Sequence, residues 1–244
     1  MTTAVIAHRG ASGTAPENTL AAFRRAVDVG ADMIELDVQL ARDGTVVVIH
    51  DYRLERTTSG RGLVGEHTLA ELGALDAGRW FAPQFAGERV PTLAEVLAAA
   101  PIPINVELKA AGTDAIAPAA LAVVEAAGAL DRVVFSSFDF GLLEQVRSAS
   151  PRATIGLLWD AAPLVHALPL VRRVGATGLH LRNDRVGPEA LALAAAAGVV
   201  VRVWTVNRLE EFRDLVAAGV AGVFTDFPER FLLDRPPVAT PPSR

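Results

Sequence analysis

The chain has 244 residues, 51% of them apolar, a formal net charge of −5 and no cysteine. The negative balance and the lack of any basic run argue against a nucleic-acid surface; without cysteine there is no disulfide framework and no thiolate chemistry, which fits a reducing compartment. Met1–Ile6 carries neither a basic n-region nor a long apolar h-region, and no apolar stretch reaches membrane-spanning length, Leu191–Gly198 being too short, so a soluble, cytoplasmic protein with no stable membrane insertion is expected.

In chain order, the run Ala4–Ala7 predicts a buried strand that breaks at once into His8-Arg9-Gly10. Asn18 or Thr19 can cap a helix running to about Val29, with Leu20, Phe23 and Val27 at helical spacing and Gly30 as the stop. Met33–Val38 is the second strand, and Val46–Ile49 the third, ending in His50-Asp51. The segment between Asp37 and Val46 is too short for a crossover helix, so Gln39–Ile49 reads as a hairpin turning near Asp43-Gly44, which brings Asp37 and His50 to one end. Asp51–Val90 loses strand and helix periodicity, contains six glycines and clustered arginines, and predicts an insertion of short helices and loops over about 52–91. Thr92 with Glu95 is a capping-box pattern for a helix through Ala100.

From there the alternation is regular. Strands are expected at Ile104–Leu108, Val133–Phe135, Thr154–Leu158, Gly178–Leu181, Val199–Val203 and Gly222–Phe224. Helices are expected to start near Asp114, Asp139, Ala162, Pro188 and Asn207, the last as an N-cap. Alternation of this kind means a parallel sheet under helices. The nine strand candidates are one more than a (β/α)₈ barrel needs, and the hairpin arm accounts for the surplus. The fold expected is therefore α/β, a single TIM-type barrel over residues 1–244 with a small insertion after the third strand and a loose Pro-rich tail at Arg235–Arg244.

Two strands carry charge where buried parallel strands should be apolar. Glu35 and Asp37 interrupt MIELDV, and Glu107 and Lys109 interrupt INVELK; each pair is spaced i, i+2 and shares one face of its strand. A buried unpaired carboxylate is costly, so these groups need a metal, a cation or a salt bridge. Three carboxylates at strand ends fit an all-oxygen site for one divalent cation, Mg²⁺ or Ca²⁺. His8 and His50 follow apolar runs and flank the cluster, which suits a general acid–base pair. Arg9 and Lys109 add fixed positive charge, and cations, metal and imidazoles together point to an anionic tetrahedral group, phosphate above all.

His8-Arg9-Gly10 with Glu17-Asn18-Thr19, Glu35-Leu36-Asp37-Val38, His50-Asp51, Asn105-Val106-Glu107-Leu108-Lys109, Trp204-Thr205-Val206-Asn207 and the closing Phe224-Thr225-Asp226-Phe227-Pro228 resemble the glycerophosphodiester phosphodiesterases, in order and over nearly the whole chain. The resemblance implies a TIM barrel that hydrolyses a small-molecule glycerophosphodiester to sn-glycerol 3-phosphate and an alcohol. It implies Glu35, Asp37 and Glu107 as metal ligands, His8 and His50 as the acid–base pair, Arg9 and Lys109 on the phosphate, and Trp204 facing the glycerol end. His8 is assigned as base and His50 as acid; the nucleophile is water or the glycerol 2-hydroxyl.

Asp51 is expected to orient His50 or its loop, Glu17 to pair with Arg9 or another cation, and Asn18 to cap a helix. His67 and His166 read as surface residues. His180 with Arg182, and Arg202 with Trp204, share strand faces and either line the mouth or in part reach solvent or form ion pairs; Trp80 and Phe81 read as packing, and Ser136-Ser137-Phe138 as a pocket wall. The competing readings are a related barrel acting on lysophospholipids and a non-catalytic phosphodiester-binding barrel; retention of both histidines, all three carboxylates, Arg9 and Lys109 speaks against the latter. Neither head-group preference nor oligomeric state is encoded legibly.

Overall fold

The computed structural model describes residues 2–110, 115–161 and 163–233. Eight parallel strands close into a barrel: β1 (Ala4–Ala7), β2 (Met33–Leu40), β4 (Ile104–Leu108), β5 (Val133–Ser137), β6 (Thr154–Trp159), β7 (Gly178–Arg182), β8 (Val200–Trp204) and β9 (Gly222–Thr225). The seam closes twice on β1, which pairs in parallel with β9 (Ile6 opposite Phe224) and with β2 (Ile6 opposite Met33). Closure leaves this parallel sheet without a free edge. The ninth strand, β3 (Val46–Val48), is antiparallel to β2, with Val38 opposite Val48. Its turn is the expected one: Gly44 holds φ +82° and donates to the Ala41 carbonyl, and the Ile49 amide donates to the carbonyl of Asp37. The hairpin therefore sets His50 down at the carboxylate end of β2.

Helices α1 (Leu20–Asp28), α3 (Leu93–Ala99), α4 (Ile116–Ala126), α5 (Phe140–Ala149), α6 (Ala167–Val174), α7 (Pro188–Ala196) and α8 (Leu209–Ala217) surround the barrel, and α9 (Pro228–Leu232) follows β9. They bury apolar faces, such as Leu142, Leu143 and Val146 of α5, against strand residues including Ile104, Val106, Phe135 and Leu179. Each buried Leu, Ile, Val or Phe contributes about 1.5–3 kcal/mol relative to exposure. The Thr92/Glu95 capping box is formed, Asp139 caps α5 by accepting from the Gly141 amide, and Pro188 opens α7. The expected starts near Asp114 and Ala162, and the tail Arg235–Arg244, lie outside the described residues.

The choice between Asn18 and Thr19 is resolved, and one cap differs from expectation. Thr19, not Asn18, caps α1, its hydroxyl accepting from the Ala22 amide, because Asn18 adopts φ +57° and turns inward. Asn207 does not cap α8, whose N-cap position is Arg208; its side chain is used by the end of β9 instead.

Between β3 and α3 the chain forms short helical turns, including α2 (Leu69–Gly73), over a second apolar cluster of Val47, Ile49, Leu54, Val64, Leu72 and Val90. Trp80, Phe81 and Phe85 stack edge to face among themselves at 5.7 and 5.6 Å, with Trp80 still 42% exposed. Among the described residues no helix is long and apolar enough to cross a membrane.

Candidate active site

The strand register gathers the acidic residues. Glu35 lies opposite Asn105 and Asp37 opposite Glu107 on neighbouring strands, so their inward faces meet at the carboxyl end of the barrel, where barrels of this kind present chemistry. One oxygen from each of Glu35, Asp37 and Glu107 lies within 4.8 Å of the others, and Glu35 and Asp37 are almost fully buried. Lys109 Nζ is 2.6 Å from Glu107 Oε1 and 3.0 Å from Asp37 Oδ1; Arg9 Nε is 3.3 Å from Asp37 Oδ2, which also accepts from Asn18 Nδ2 at 2.8 Å. Burial opposes charge on Asp37, but Lys109 and Arg9 outweigh it and hold its pKa well below the usual carboxylate range. Burial first, and then the neighbouring Asp37 charge, push Glu35 and Glu107 up. The three carboxylates are therefore short of positive charge, and Asp37 Oδ1 lacks a well-formed hydrogen bond. All are oxygen donors, the set that a hard divalent cation takes.

Arg9 is held in an unusual backbone state. Its φ is +54°, a region that costs a non-glycine residue roughly 1–2 kcal/mol. Its amide donates to Glu35 Oε2 at 2.9 Å and its carbonyl accepts from the Asn18 amide at 3.0 Å, fixing the turn on both sides. Gly10 follows at φ +81° against α1, where a Cβ would come within 2.7 Å of Ala22; only glycine fits.

Each histidine faces a carboxylate. His8 Nδ1 lies 2.7 Å from Asp226 Oδ1, and Asp226 is itself held by Asn207 Nδ2 at 2.6 Å and Ser12 Oγ at 3.0 Å. His50 Nδ1 lies 2.6 Å from Asp51 Oδ1. A carboxylate on Nδ1 selects the tautomer that leaves Nε2 as the working nitrogen; in His8, Nε2 points back to Glu35 at 4.0 Å. Burial lowers the pKa of both rings. In His8 the Asp226 hydrogen bond and the Glu35 charge outweigh it and raise the pKa; in His50 burial, with Arg9 and Lys109, prevails and lowers it. The two rings thus differ in proton affinity, the asymmetry that an acid–base pair needs. A cation on Glu35 would weaken the pull on His8 without touching its bond to Asp226.

These groups surround one cavity of about 140 Å³. His8, Arg9, Glu35, His50, Glu107 and Lys109 supply its charged lining, and Phe138, Leu158, Trp204 and Phe224 its apolar lining. His8, His50, Arg9, Lys109, Trp204, Glu35 and Glu107 are all here, with Asp37 beside them in the carboxylate cluster; of Ser136-Ser137-Phe138, expected as a pocket wall, only Phe138 lines the cavity, Ser136 and Ser137 being buried. Trp204 donates to the His180 carbonyl at 3.2 Å and meets Phe138 edge to face at 5.5 Å, which fixes its ring. His180 is fully buried behind Phe224, with Arg202 beside it at 3.3 Å; Arg182 pairs with Asp184 outside the cavity. His166 is exposed, and His67 bonds to the Arg61 carbonyl within the insertion.

Three contributors went unassigned in sequence. Asp226 stands 218 residues from His8 and became a partner only when β9 closed on β1. Gln39 is buried in β2 and donates to the carbonyls of Ile49, His50 and Asp51, fixing the His50 loop; its polarity in a buried strand was the available signal. Arg56 comes from the insertion, and among clustered arginines nothing singled it out.

Comparison with known proteins agrees with this geometry. The chain is 41% identical over 237 residues to a glycerophosphodiester phosphodiesterase of Caldanaerobacter subterraneus subsp. tengcongensis, covering 95% of this chain and 97% of the relative. It superposes with TM-score 0.91 and 33% identity on an Oleispira antarctica phosphodiesterase solved with the product sn-glycerol-3-phosphate, covering 95% of this chain and 96% of that one. It superposes with TM-score 0.82 and 29% identity on a glycerophosphodiester phosphodiesterase of Agrobacterium tumefaciens, covering 95% and 99%. The model of the glycerophosphoryl diester phosphodiesterase family matches residues 8–230. A match that runs from the first histidine to beyond the closing strand means that this chain belongs to that family.

Proposed function

We propose that the protein hydrolyses glycerophosphodiesters to sn-glycerol 3-phosphate and an alcohol, with one divalent cation, Mg²⁺ or Ca²⁺, held by Glu35, Asp37 and Glu107. The observation that carries this reading is charge balance around a small cavity. Three carboxylates converge on two fixed cations, Arg9 and Lys109, and Arg9 is shared further with Glu17, so the cluster is short of positive charge. A divalent cation would offset that excess of negative charge at the place where an anionic phosphodiester must bind. When bound, such a cation neutralises phosphate oxygens and supports charge development at phosphorus.

The chain's own residues do the rest. Arg9 and Lys109 orient the phosphate oxygens, Arg9 through a planar fork and Lys109 as a point charge. One imidazole takes the proton of the attacking hydroxyl through its free Nε2; the other gives a proton to the leaving alkoxide as its bond to phosphorus breaks. Asp226 and Asp51 keep both rings in the working tautomer. The apolar wall of Trp204, Phe138 and Phe224 takes the carbon skeleton of the glycerol end and keeps bulk water from the polar side. The nucleophile is water or the glycerol 2-hydroxyl; in the second case a cyclic phosphate forms and is then opened. The lack of cysteine supports action in a reducing compartment such as the cytoplasm, which cell fractionation tests.

The test is release of glycerol 3-phosphate from glycerophosphocholine with Mg²⁺, with Ca²⁺ and with EDTA, comparing wild type with His50→Ala. Metal-dependent release that the substitution abolishes is expected. Undiminished release in EDTA overturns the metal site, and no release from any glycerophosphodiester overturns the reaction. Trapping a cyclic phosphate during turnover selects the 2-hydroxyl route.

A further inference from the structure

The insertion sends one side chain to the site without lining the cavity. Arg56 makes four contacts to two carboxylates: Nη1 to Glu17 Oε2 at 2.6 Å, Nη2 to Glu17 Oε1 at 2.9 Å, Nε to Asp51 Oδ2 at 2.5 Å, and Nη2 to Asp51 Oδ1 at 2.9 Å. The two oxygens that share Nη2 are the ones engaged with the site. Glu17 Oε1 also accepts from Arg9 Nη1 at 2.9 Å, and Asp51 Oδ1 is the oxygen facing His50 Nδ1 at 2.6 Å. A chain of charge-assisted bonds thus runs from His50 through Asp51, Arg56 and Glu17 to Arg9. Without the guanidinium, two carboxylates would face each other across its place and move apart, each carrying a side chain that works on the phosphate.

We propose that Arg56 is a positioning residue, whose guanidinium couples the His50 imidazole to the Arg9 guanidinium through Asp51 and Glu17. Only a planar fork can satisfy both carboxylates with two bonds each. Its own position is fixed by the insertion: Leu54 is fully buried in the second apolar cluster, and the Thr58 amide and hydroxyl both donate to the Leu54 carbonyl. The insertion's small core therefore serves the site by delivering Arg56. A half-exposed salt bridge of purely structural use would contribute little and tolerate lysine; the coupling does not.

The inference rests on the roles proposed for His50 and Arg9. Its test is the kinetics of Arg56→Ala, Arg56→Gln and Arg56→Lys on glycerophosphocholine, alone and in a Glu17→Gln/Asp51→Asn background. Loss of kcat/KM by about 10–100-fold is expected for Arg56→Ala, by analogy with removing a partner that orients a site ligand. The melting temperature should hold within a few degrees, lysine should recover little, and added guanidinium ion at non-denaturing concentration should restore part of the rate. In the double background the same substitution should cost less than about threefold, because coupled residues are not additive. A kcat/KM within twofold of wild type, additive losses, or full recovery by lysine would each overturn the proposal. If alanine fails to fold, the glutamine and lysine variants decide by the same criteria. If wild type releases no product, the functional reading fails separately. The low-field proton NMR resonance of the His50 ring then decides: it should shift or broaden in Arg56→Gln, and an unchanged resonance overturns the coupling.

Discussion

The two imidazole–carboxylate pairs reach similar geometry by different routes. At the β1–β9 seam, His8 meets Asp226 at 2.7 Å across 218 residues, and the carboxylate is backed by the neutral groups Ser12 and Asn207. At the β3 corner, His50 meets the adjacent Asp51 at 2.6 Å, and the carboxylate is backed by the charged Arg56 from the insertion. The seam pair belongs to the barrel and forms only when the barrel closes. The corner pair is local, but its loop is held by Gln39 from inside and by Arg56 from outside. One site is thus anchored by two structural units, the barrel and the insertion.

The largest effects should come from the rings themselves. His8→Ala and His50→Ala should each lower turnover by about 10²–10⁴-fold with the fold intact, since general acid–base catalysis contributes on that order; steady-state release of glycerol 3-phosphate measures it. A variant with unchanged turnover would remove that ring from the mechanism and end the symmetry of the comparison. Next come the carboxylates. Asp226→Asn and Asp51→Asn should each cost about 10–100-fold. Because each carboxylate favours the imidazolium, each substitution should move its histidine's limb of the pH profile to lower pH. A limb that stays in place in either variant would show that the pair is structural. An amide cannot keep all three bonds that Asp226 takes from His8, Ser12 and Asn207, nor all three that Asp51 takes from His50 and Arg56, so the two losses should be comparable; a much larger loss in one variant would show which backing matters more.

The smallest effect separates the corner from the seam by acid stability. The Asp51 hydrogen bonds to Arg56 and His50 hold its pKa at about 2. Burial opposes ionisation of Glu17, but Arg56 and Arg9 prevail and lower its pKa. Both folded-state values lie below the unfolded ones, about 3.9 for Asp and 4.3 for Glu. Their stabilisation is therefore fully present above about pH 5 and is lost as pH falls toward about 2. Arg56→Ala should lower stability at pH 7 by about 1 kcal/mol, as for a half-exposed pair, and should lose less on acidification than wild type. Urea midpoints at pH 7 and pH 3 test this; identical acid sensitivity in both proteins would mean that the corner carries no linked charge.

What the sequence by itself determined was local or periodic. Strand and helix alternation fixed the fold class, because a buried parallel strand must be apolar on both faces and its helix must be amphipathic. The i, i+2 spacing of Glu35 with Asp37, and of Glu107 with Lys109, set those charges on shared faces, because side chains alternate along a strand. A hairpin too short for a helix brought His50 toward Asp37. Closure and register were decided only by the tertiary structure. They paired Asp226 with His8, turned Asn18 from a helix cap to a partner of Asp37, took Asn207 from α8 to β9, buried His180 behind the cavity and brought Arg56 between two carboxylates. For Asp226, Asn18 and Asn207 the physical reason is the same. A polar side chain's partner is chosen by which buried donor or acceptor would otherwise be left unsatisfied, and that choice exists only after distant segments have been packed together.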